Sequence, residues 1–240
     1  MQKTRSRKLI FILIAVVVLL AGTGAYWLYW RYYSPNGRTR VVIDFIRDPD
    51  SLADLKVSAF STCGEAPFIM PTDGMIGYIW GDSFRPGHHH TGIDIFAGTS
   101  VGVTPVYVAC DGYLTRLPDW KSTVIIRIPS DPLQPDRQIW TYYTHLANPE
   151  GDSLVDAAFP PGTQEHFVTA GTLLGYQGNY SGTPGSPTGV HLHFSIVLDD
   201  GHGHFLNELE IDNTLDPSPY FGLLLNAEEK PEGIPVCQDF

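Results

Sequence analysis

Polar and apolar positions divide the chain into four stretches of different character. From Leu9 to Trp30 the run LIFILIAVVVLLAGTGAYWLYW holds 22 residues without a charge. About 20 apolar residues in a helix span the hydrocarbon core of a bilayer. Lys3, Arg5, Arg7 and Lys8 precede the run, so the positive-inside rule predicts a cytoplasmic N-terminus. Tyr26, Trp27, Tyr29, Trp30, Tyr32 and Tyr33 follow where the helix would leave the membrane, as an interfacial aromatic belt does. A cleaved signal peptide is the competing reading, because small residues lie between Ala21 and Ala25. The run stays apolar past them, which favours a single-pass anchor in residues 1–33. Either reading places the rest of the chain outside the cytoplasm.

Residues 34–63 read as a juxtamembrane segment in which RVVIDFI has a strand-like composition. Between 64 and 221 the chain alternates short apolar runs with turn residues. MIGYIW, GIDIF, VTPVYVAC, GYLTRL, STVIIRIP, QIWTYYTHL, TLLGYQ and VHLHFSIVL are expected strands. SDPLQPDR and NPEGDS are expected connections, and NYSGTPGSPTG is a longer loop running into VHLHF. SLADLKVSAF and SPYFGLLLNAEE have only weak helical character. The expected fold is mostly β, an antiparallel sheet with long loops, preceded by one transmembrane helix. Residues 222–240 read as a polar tail.

Composition agrees. Gly 24 and Pro 19 are high for a helical bundle, and with Tyr 12 and Phe 12 they favour strands and turns. Charge adds an exclusion. Residues 1–40 hold seven Lys/Arg and no acid, whereas the remaining 200 hold eight Lys/Arg against 26 Asp/Glu, a net −18. A body that acidic lacks the basic patches that neutralise phosphates, so no nucleic-acid partner is expected. Cys63 and Cys237 flank the body, and an oxidising compartment makes them the expected disulfide pair. Cys110, inside the apolar VYVACDG, would then remain a buried thiol; three unpaired thiols are the alternative.

Nine histidines are many for this length. His90 and Asp94 form H-x-x-x-D, and His191 and His193 form H-x-H. Residues i and i+2 share one face of a strand, so His191 and His193 point together while Leu192, Phe194 and Ile196 point to a core. Spacing alone is met as well by two solvated surface histidines. A straight strand would hold His90 and Asp94 about 13 Å apart at ~3.3 Å per residue, so shared ligation demands a bend, which Gly92 permits. His88 and His89 are candidates on composition as well. Two His and one carboxylate leave a fourth zinc position for water, as in hydrolytic zinc sites.

Taken together, the motifs resemble the LytM/lysostaphin-type zinc endopeptidases, which hydrolyse peptide cross-links of bacterial peptidoglycan. GYIWGDSFRPGHHHTGIDIFAGTSVGVTPVYVACDG is similar to the block holding H-x-G-x-D, G-T-x-V and A-x-D-G. WTYYTHL is similar to Y-x-H-L, AGTLLGYQGNYSGTPGSPTGVHLHFSI to the stretch ending in H-L-H-F, and TLDPSPYF to the closing D-P segment. The order is the family's and covers roughly residues 64–221. The resemblance implies a groove on an antiparallel sheet and one Zn2+ per chain, held by His90, Asp94 and His193. It implies His145 and His191 as catalytic residues, and hydrolysis by attack of a zinc-bound water on stem peptides or cross-bridges of peptidoglycan. Combined with the anchor, it places the enzyme in the cell membrane, its catalytic domain outside the cytoplasm.

Ser195 departs from the pattern, since the family usually has Glu after H-L-H-F; there it would weaken the orientation of a ligand. Tyr143 is a candidate for transition-state binding or for packing. His202 and His204 form a second H-x-H between glycines, which reads as a turn. A non-hydrolytic wall-binding or activator protein on the same fold is the alternative function, and the complete set of five residues weighs against it. A cupin-like metal protein would need a Glu shortly after H-x-H, which is missing.

Overall fold

Strand β10, Leu192–Leu198, organises the body. The computed structural model describes residues 2–33, 37–82 and 88–237; residues 83–87 of the first motif block and the last three of the tail lie outside these. Two compact units divide the chain, Met1–Asp44 and Phe45–Phe240.

The first unit contains α1, Gln2–Tyr33. Within it Ile10–Trp30 has a mean hydropathy of 2.3 and none of the segment is buried, so one helix is long and apolar enough to cross a membrane. Thr23 is the run's one aliphatic hydroxyl, and its Oγ1 donates back to the helix at the Leu19 and Leu20 carbonyls, which satisfies it without solvent.

The RVVIDFI segment is a helix, not a strand: α2 spans Arg38–Arg47. Val41, Val42, Phe45 and Ile46 recur four apart and line one helical face, and Arg40 Nε donates to Asp44 Oδ2 at 2.7 Å, an i,i+4 pair. Local spacing thus outweighs the β-branched composition.

In the second unit the strands are β1 Lys56–Val57, β2 Gly74–Tyr78, β3 Ile93–Phe96, β4 Pro105–Tyr107, β5 Gly112–Thr115 and β6 Val124–Ile128. They continue with β7 Ile139–Thr144, β8 His166–Val168, β9 Leu173–Tyr176, β10 and β11 Thr214–Leu215. One sheet runs β1-β2-β3-β10-β7-β6-β5-β8, with β11 also on β10, and β4-β9 form a second sheet; every pairing is antiparallel. The expected mostly antiparallel β fold is therefore the observed one. All eight expected strands form. Three short strands are additional: β1, inside the SLADLKVSAF stretch that reads as weakly helical, β8 and β11.

The period-two pattern sets the two faces of the large sheet. On β10, Leu192, Phe194 and Ile196 are fully buried in the main core with Ile93, Ile95, Val124, Ile126 and Tyr143. Val106 and Leu174 of the small sheet belong to the same core. The opposite face carries His193 and Ser195 and then a smaller apolar cluster of Ile125, Trp140 and Val197 under Phe205 and Leu206. The row of His193 and Ser195 thus lies on the side of the sheet away from the main core.

The stretch that reads as a polar tail is packed. Leu225 is fully buried in the main core, Ala227 N donates to the Trp80 carbonyl at 2.8 Å, and Cys63 is joined to Cys237 by a disulfide. Cys110 is the free thiol, as expected, but part-buried and not buried, with its pKa pushed up to about 11 by burial and by the Asp111 charge. Only four residues of SPYFGLLLNAEE are α-helical, α3 Ser218–Phe221, because Gly222 follows in the left-handed conformation at φ +65°.

Candidate metal centre and its groove

Three adjacent strands bring the site together. In the ladder His193 has Asp94 of β3 as Cα partner on one side and Thr144 of β7 on the other. His145 follows Thr144 directly, in the left-handed region at φ +72°. That conformation is uncommon for a residue with a Cβ and costs on the order of 1–3 kcal/mol. His90 arrives from outside the strand, since β3 begins only at Ile93. The chain bends before it, tied by His90 N to the Asp82 carbonyl and Gly81 N to the His90 carbonyl, both at 2.8 Å. Gly92 serves this bend by its size. A Cβ there would stand 2.0 Å from the Phe194 carbonyl oxygen and 2.6 Å from Ser195 Oγ.

Three ligand-type atoms converge. His90 Nε2 lies 3.0 Å from Asp94 Oδ1, His193 Nδ1 lies 2.8 Å from the same oxygen, and the two nitrogens are 3.0 Å apart. The tautomers follow from the far side of each ring. His90 Nδ1–H donates to the Ile79 carbonyl at 3.0 Å, and His193 Nε2 lies 2.8 Å from Ser195 Oγ, which would accept from Nε2–H with an ion on Nδ1. Both converging nitrogens are then bare acceptors aimed at a carboxylate, three lone-pair donors facing one point. Such a triangle calls for a cation. A tetrahedral zinc ion with bonds of ~2.0–2.1 Å separates its ligand atoms by about 3.3 Å, a few tenths wider than seen. The residues therefore fit a zinc ion, and His90, Asp94 and His193 are the group among the described residues able to hold one.

Electrostatics agree with that geometry. Without an ion, protons on His90 and His193 would take its place: burial alone would raise Asp94, but the charges of His90 and His191 and the hydrogen bonds from the protonated His193 and His90 rings hold it well below the usual carboxylate range. Burial would lower His90, yet the Asp94 charge and hydrogen bonds to Asp94 and Ile79 raise it on balance. His193 is lowered, burial outweighing its bond to Asp94.

His145 and His191 stand beside this group without joining it. Their ring centroids are 4.4 Å apart, and His191 Nε2 is 3.6 Å from Asp94 Oδ1. His145 Nδ1–H donates to the Tyr180 carbonyl at 2.6 Å and His191 Nδ1–H to the Gly189 carbonyl at 2.7 Å. Each ring thus keeps Nε2 as its second, undonated nitrogen. The His191 ring stacks on Phe96 at 4.9 Å. Burial drives its pKa down to about 4, against the pull of Asp94, so it is neutral at pH 7. Together the five side chains line a groove of about 450 Å³, within the size range of small-ligand sites.

Residue-level reasoning left several contributors without a role. Ser195, expected to weaken the orientation of a ligand, is fully buried with its Oγ 2.8 Å from His193 Nε2, where it holds that ring. Gly178 seats the other two histidines: His191 N bonds its carbonyl, while a Cβ on it would stand 2.1 Å from the Ala147 oxygen and 2.4 Å from the His145 oxygen. Three carbonyls, of Ile79, Tyr180 and Gly189, orient rings, and side-chain patterns carry no trace of a carbonyl's direction. Tyr143 is a core residue: it is fully buried, and its hydroxyl accepts from Ala109 N at 2.9 Å. His88 and His89 line the groove outside the three-residue group. His204 is exposed and bonded to Asp200 of its own turn.

Comparison with solved structures finds similar chains. The catalytic domain of the antimicrobial peptidase lysostaphin from Staphylococcus simulans matches over 60% of this chain and 90% of its own, at 19% identity and a TM-score of 0.40. The lysostaphin chain matches over 69% of this chain and 55% of its own, at 16% identity and a TM-score of 0.38. A variant catalytic domain of the prophage-encoded M23 protein EnpA from Enterococcus faecalis matches over 62% and 95%, at 21% identity and 0.37. No protein-family model and no curated protein matches the chain.

Proposed function

We propose that the protein is a membrane-anchored zinc metalloendopeptidase that hydrolyses peptide cross-links of bacterial peptidoglycan. The observation that carries this reading is the convergence of His90 Nε2, Asp94 Oδ1 and His193 Nδ1 on one point, with the rings of His145 and His191 at its edge in an open groove. The ordered motifs from Gly77 to Phe221 give the substrate class. Among the described residues Ile10–Trp30 supports the anchor, with the N-terminus inside and the groove outside the cytoplasm. The catalytic domain is taken to span residues 64–221, after a juxtamembrane segment at 34–63, with 222–240 closing the body through Cys237.

His90, Asp94 and His193 would hold the ion, and Ser195 and the Ile79 carbonyl orient the two imidazoles. A bound zinc ion supplies Lewis acidity, acidifying water and polarising a carbonyl. His145 and His191 act as a pair at the groove edge. Their Nδ1–H groups are committed to carbonyls, so each can only accept a proton at Nε2 and return it to the leaving amine. A ring protonated in this way also stabilises negative charge on the carbonyl oxygen. Phe96 behind His191 and the Tyr180 carbonyl behind His145 keep both rings turned toward the groove.

The test is hydrolysis of purified cross-linked wall peptides by the full chain with zinc, with and without chelator. Chelator-sensitive appearance of a new amine at the cross-link supports the reading. Tight zinc binding with intact cross-links would favour the non-hydrolytic alternative.

A further inference from the structure

His90 is held by residues 79–82, and those are held by the far end of the chain. The His90 ring donates from Nδ1 to the Ile79 carbonyl at 3.0 Å, its N–H donates to the Asp82 carbonyl at 2.8 Å, and its carbonyl accepts from Gly81 N at 2.8 Å. β2 ends at Tyr78, so these holders stand beyond the ladder with β3. Trp80 lies among them. Its N–H donates to the Leu225 carbonyl at 2.9 Å, its carbonyl accepts from Ala227 N at 2.8 Å, and its Nε1 donates to Thr214 Oγ1 at 2.9 Å. The first two bonds form a parallel bridge between Trp80 and Asn226. That bridge is braced from behind. Leu225 N donates to Ser218 Oγ at 2.9 Å, Ser218 Oγ donates to Asp216 Oδ1, and Asn226 Nδ2 donates to Asp216 Oδ2 at 2.8 Å. Leu225 is fully buried in the main core.

A carbonyl orients a ligand ring only as well as its own segment is held. The Ile79 carbonyl belongs to a stretch that has left the sheet and is fastened through Trp80. Asp94 and His193 need no such device, since the β3–β10 ladder pairs them directly. We propose that Leu225–Ala227, acting through Trp80, is the positioning element for His90. The segment lies beyond the 64–221 stretch that carries the motifs, so the C-terminal residues are part of the site and not only a seam of the body. The hold on His90 stands on this geometry alone. Its effect on a bound ion deepens the peptidase reading and rests on it.

Ala227→Pro removes the donor of the bridge and suits its own segment. Ala227 opens a short 3₁₀ helix, Ala227–Glu229, where proline fits the first position. Asn226 before it is extended, at φ −108° and ψ 120°, as a residue preceding proline must be. The full chain in detergent is measured in two ways. In the metal-free protein, amide hydrogen exchange at Gly81 and His90 should quicken by about tenfold beyond any change in β6, because the opening is local. Zinc affinity, by competition with a chromophoric chelator, should fall about 10–100-fold, as when an outer partner of a ligand is lost. Ala227→Ser keeps the N–H and should keep both wild-type values. Thr214→Val takes the acceptor from the Trp80 indole without changing the shape of the side chain. It should move both readings the same way by less, and it decides the matter if Ala227→Pro does not fold. Ile128→Ala opens a cavity in the core on β6, four strands from β2 in the sheet; it should lower the melting temperature and leave zinc affinity unchanged. Wild-type exchange at Gly81 and His90 in the bridge variants overturns the proposal. Faster exchange there with wild-type zinc affinity, or an equal loss of affinity in Ile128→Ala, overturns it as well. Bridge-dependent zinc binding in a chain that leaves wall cross-links intact keeps the positioning role and removes the peptidase. Bridge-dependent exchange in a chain that binds no zinc keeps the hold on His90 and removes the metal.

Discussion

Asp94 and His193 face one another across the β3–β10 ladder as Cα partners, with Asp94 Oδ1 2.8 Å from His193 Nδ1. The pair is 99 residues apart in sequence, and one slip of register would turn His193 into the core and Phe194 into the groove. The buried row Leu192, Phe194 and Ile196 therefore fixes the geometry of the candidate metal group as firmly as its own three side chains do.

Ser195 should matter beyond its size. Ser195→Ala leaves the His193 Nε2–H buried without its acceptor, a loss worth ~1–3 kcal/mol, and frees the ring to turn. Zinc affinity should fall about 10–100-fold, the usual cost of removing such an outer partner, with the domain still folded. Competition titration against a chromophoric chelator measures it; unchanged affinity would remove Ser195 from the site.

Gly178→Ala should damage the proposed catalytic pair and spare the candidate metal group. The new Cβ meets backbone oxygens at 2.1 and 2.4 Å, and backbone cannot rotate away as a side chain can. A melting temperature lower by several degrees, equivalent to ~2–4 kcal/mol, and severe loss of turnover are expected while zinc content stays near one per chain. Wild-type turnover in this variant would contradict the seating role.

Thiol chemistry checks the closing of the body. The denatured, unreduced protein should label at one cysteine, Cys110, and at three after reduction, because Cys63 and Cys237 are joined. Reduction should destabilise the body by ~2–4 kcal/mol. With its pKa at about 11, Cys110 is about one part in a thousand thiolate at pH 8. Native alkylation should thus be slow there and rise with pH toward 11.

The anchor predicts that the protein stays with membranes through salt and alkaline washes and that its mature N-terminus is not near residue 26. Release by either wash, or N-terminal sequencing that starts near that position, would convert the helix into a signal sequence.

Strands that alternate cleanly were legible in the sequence: VIIRIP, QIWTYYTHL and VHLHFSIVL became β6, β7 and β10. The side-sharing of His193 and Ser195 was legible for the same reason. What periodicity cannot carry was missed. The α2 segment is β-branched, and its helix depends on a four-residue recurrence that its strand-like composition masked. HFV at β8 is too short to stand out, and pairs only because β5 offers an edge. The bend before Asp94 was demanded by distance, but the reason for Gly92, the nearness of the Phe194 carbonyl, exists only once β3 and β10 are paired. Leu225 lies in a stretch whose charged and turn residues hide the apolar anchors that bind it to the body, whereas the pairing of Cys237 with Cys63 in the same stretch was legible.

Zinc content of two single variants tests the central claim most directly. His193→Ala removes a converging nitrogen, and His191→Ala removes a ring that stands beside the group, two residues away. Metal analysis of the purified, folded proteins should find zinc lost in His193→Ala and about one ion per chain kept in His191→Ala, whose turnover nonetheless falls by a factor on the order of 10²–10⁴. Equal zinc loss in both would make His191 a ligand and contradict the division between metal binding and proton transfer on which the proposed mechanism stands.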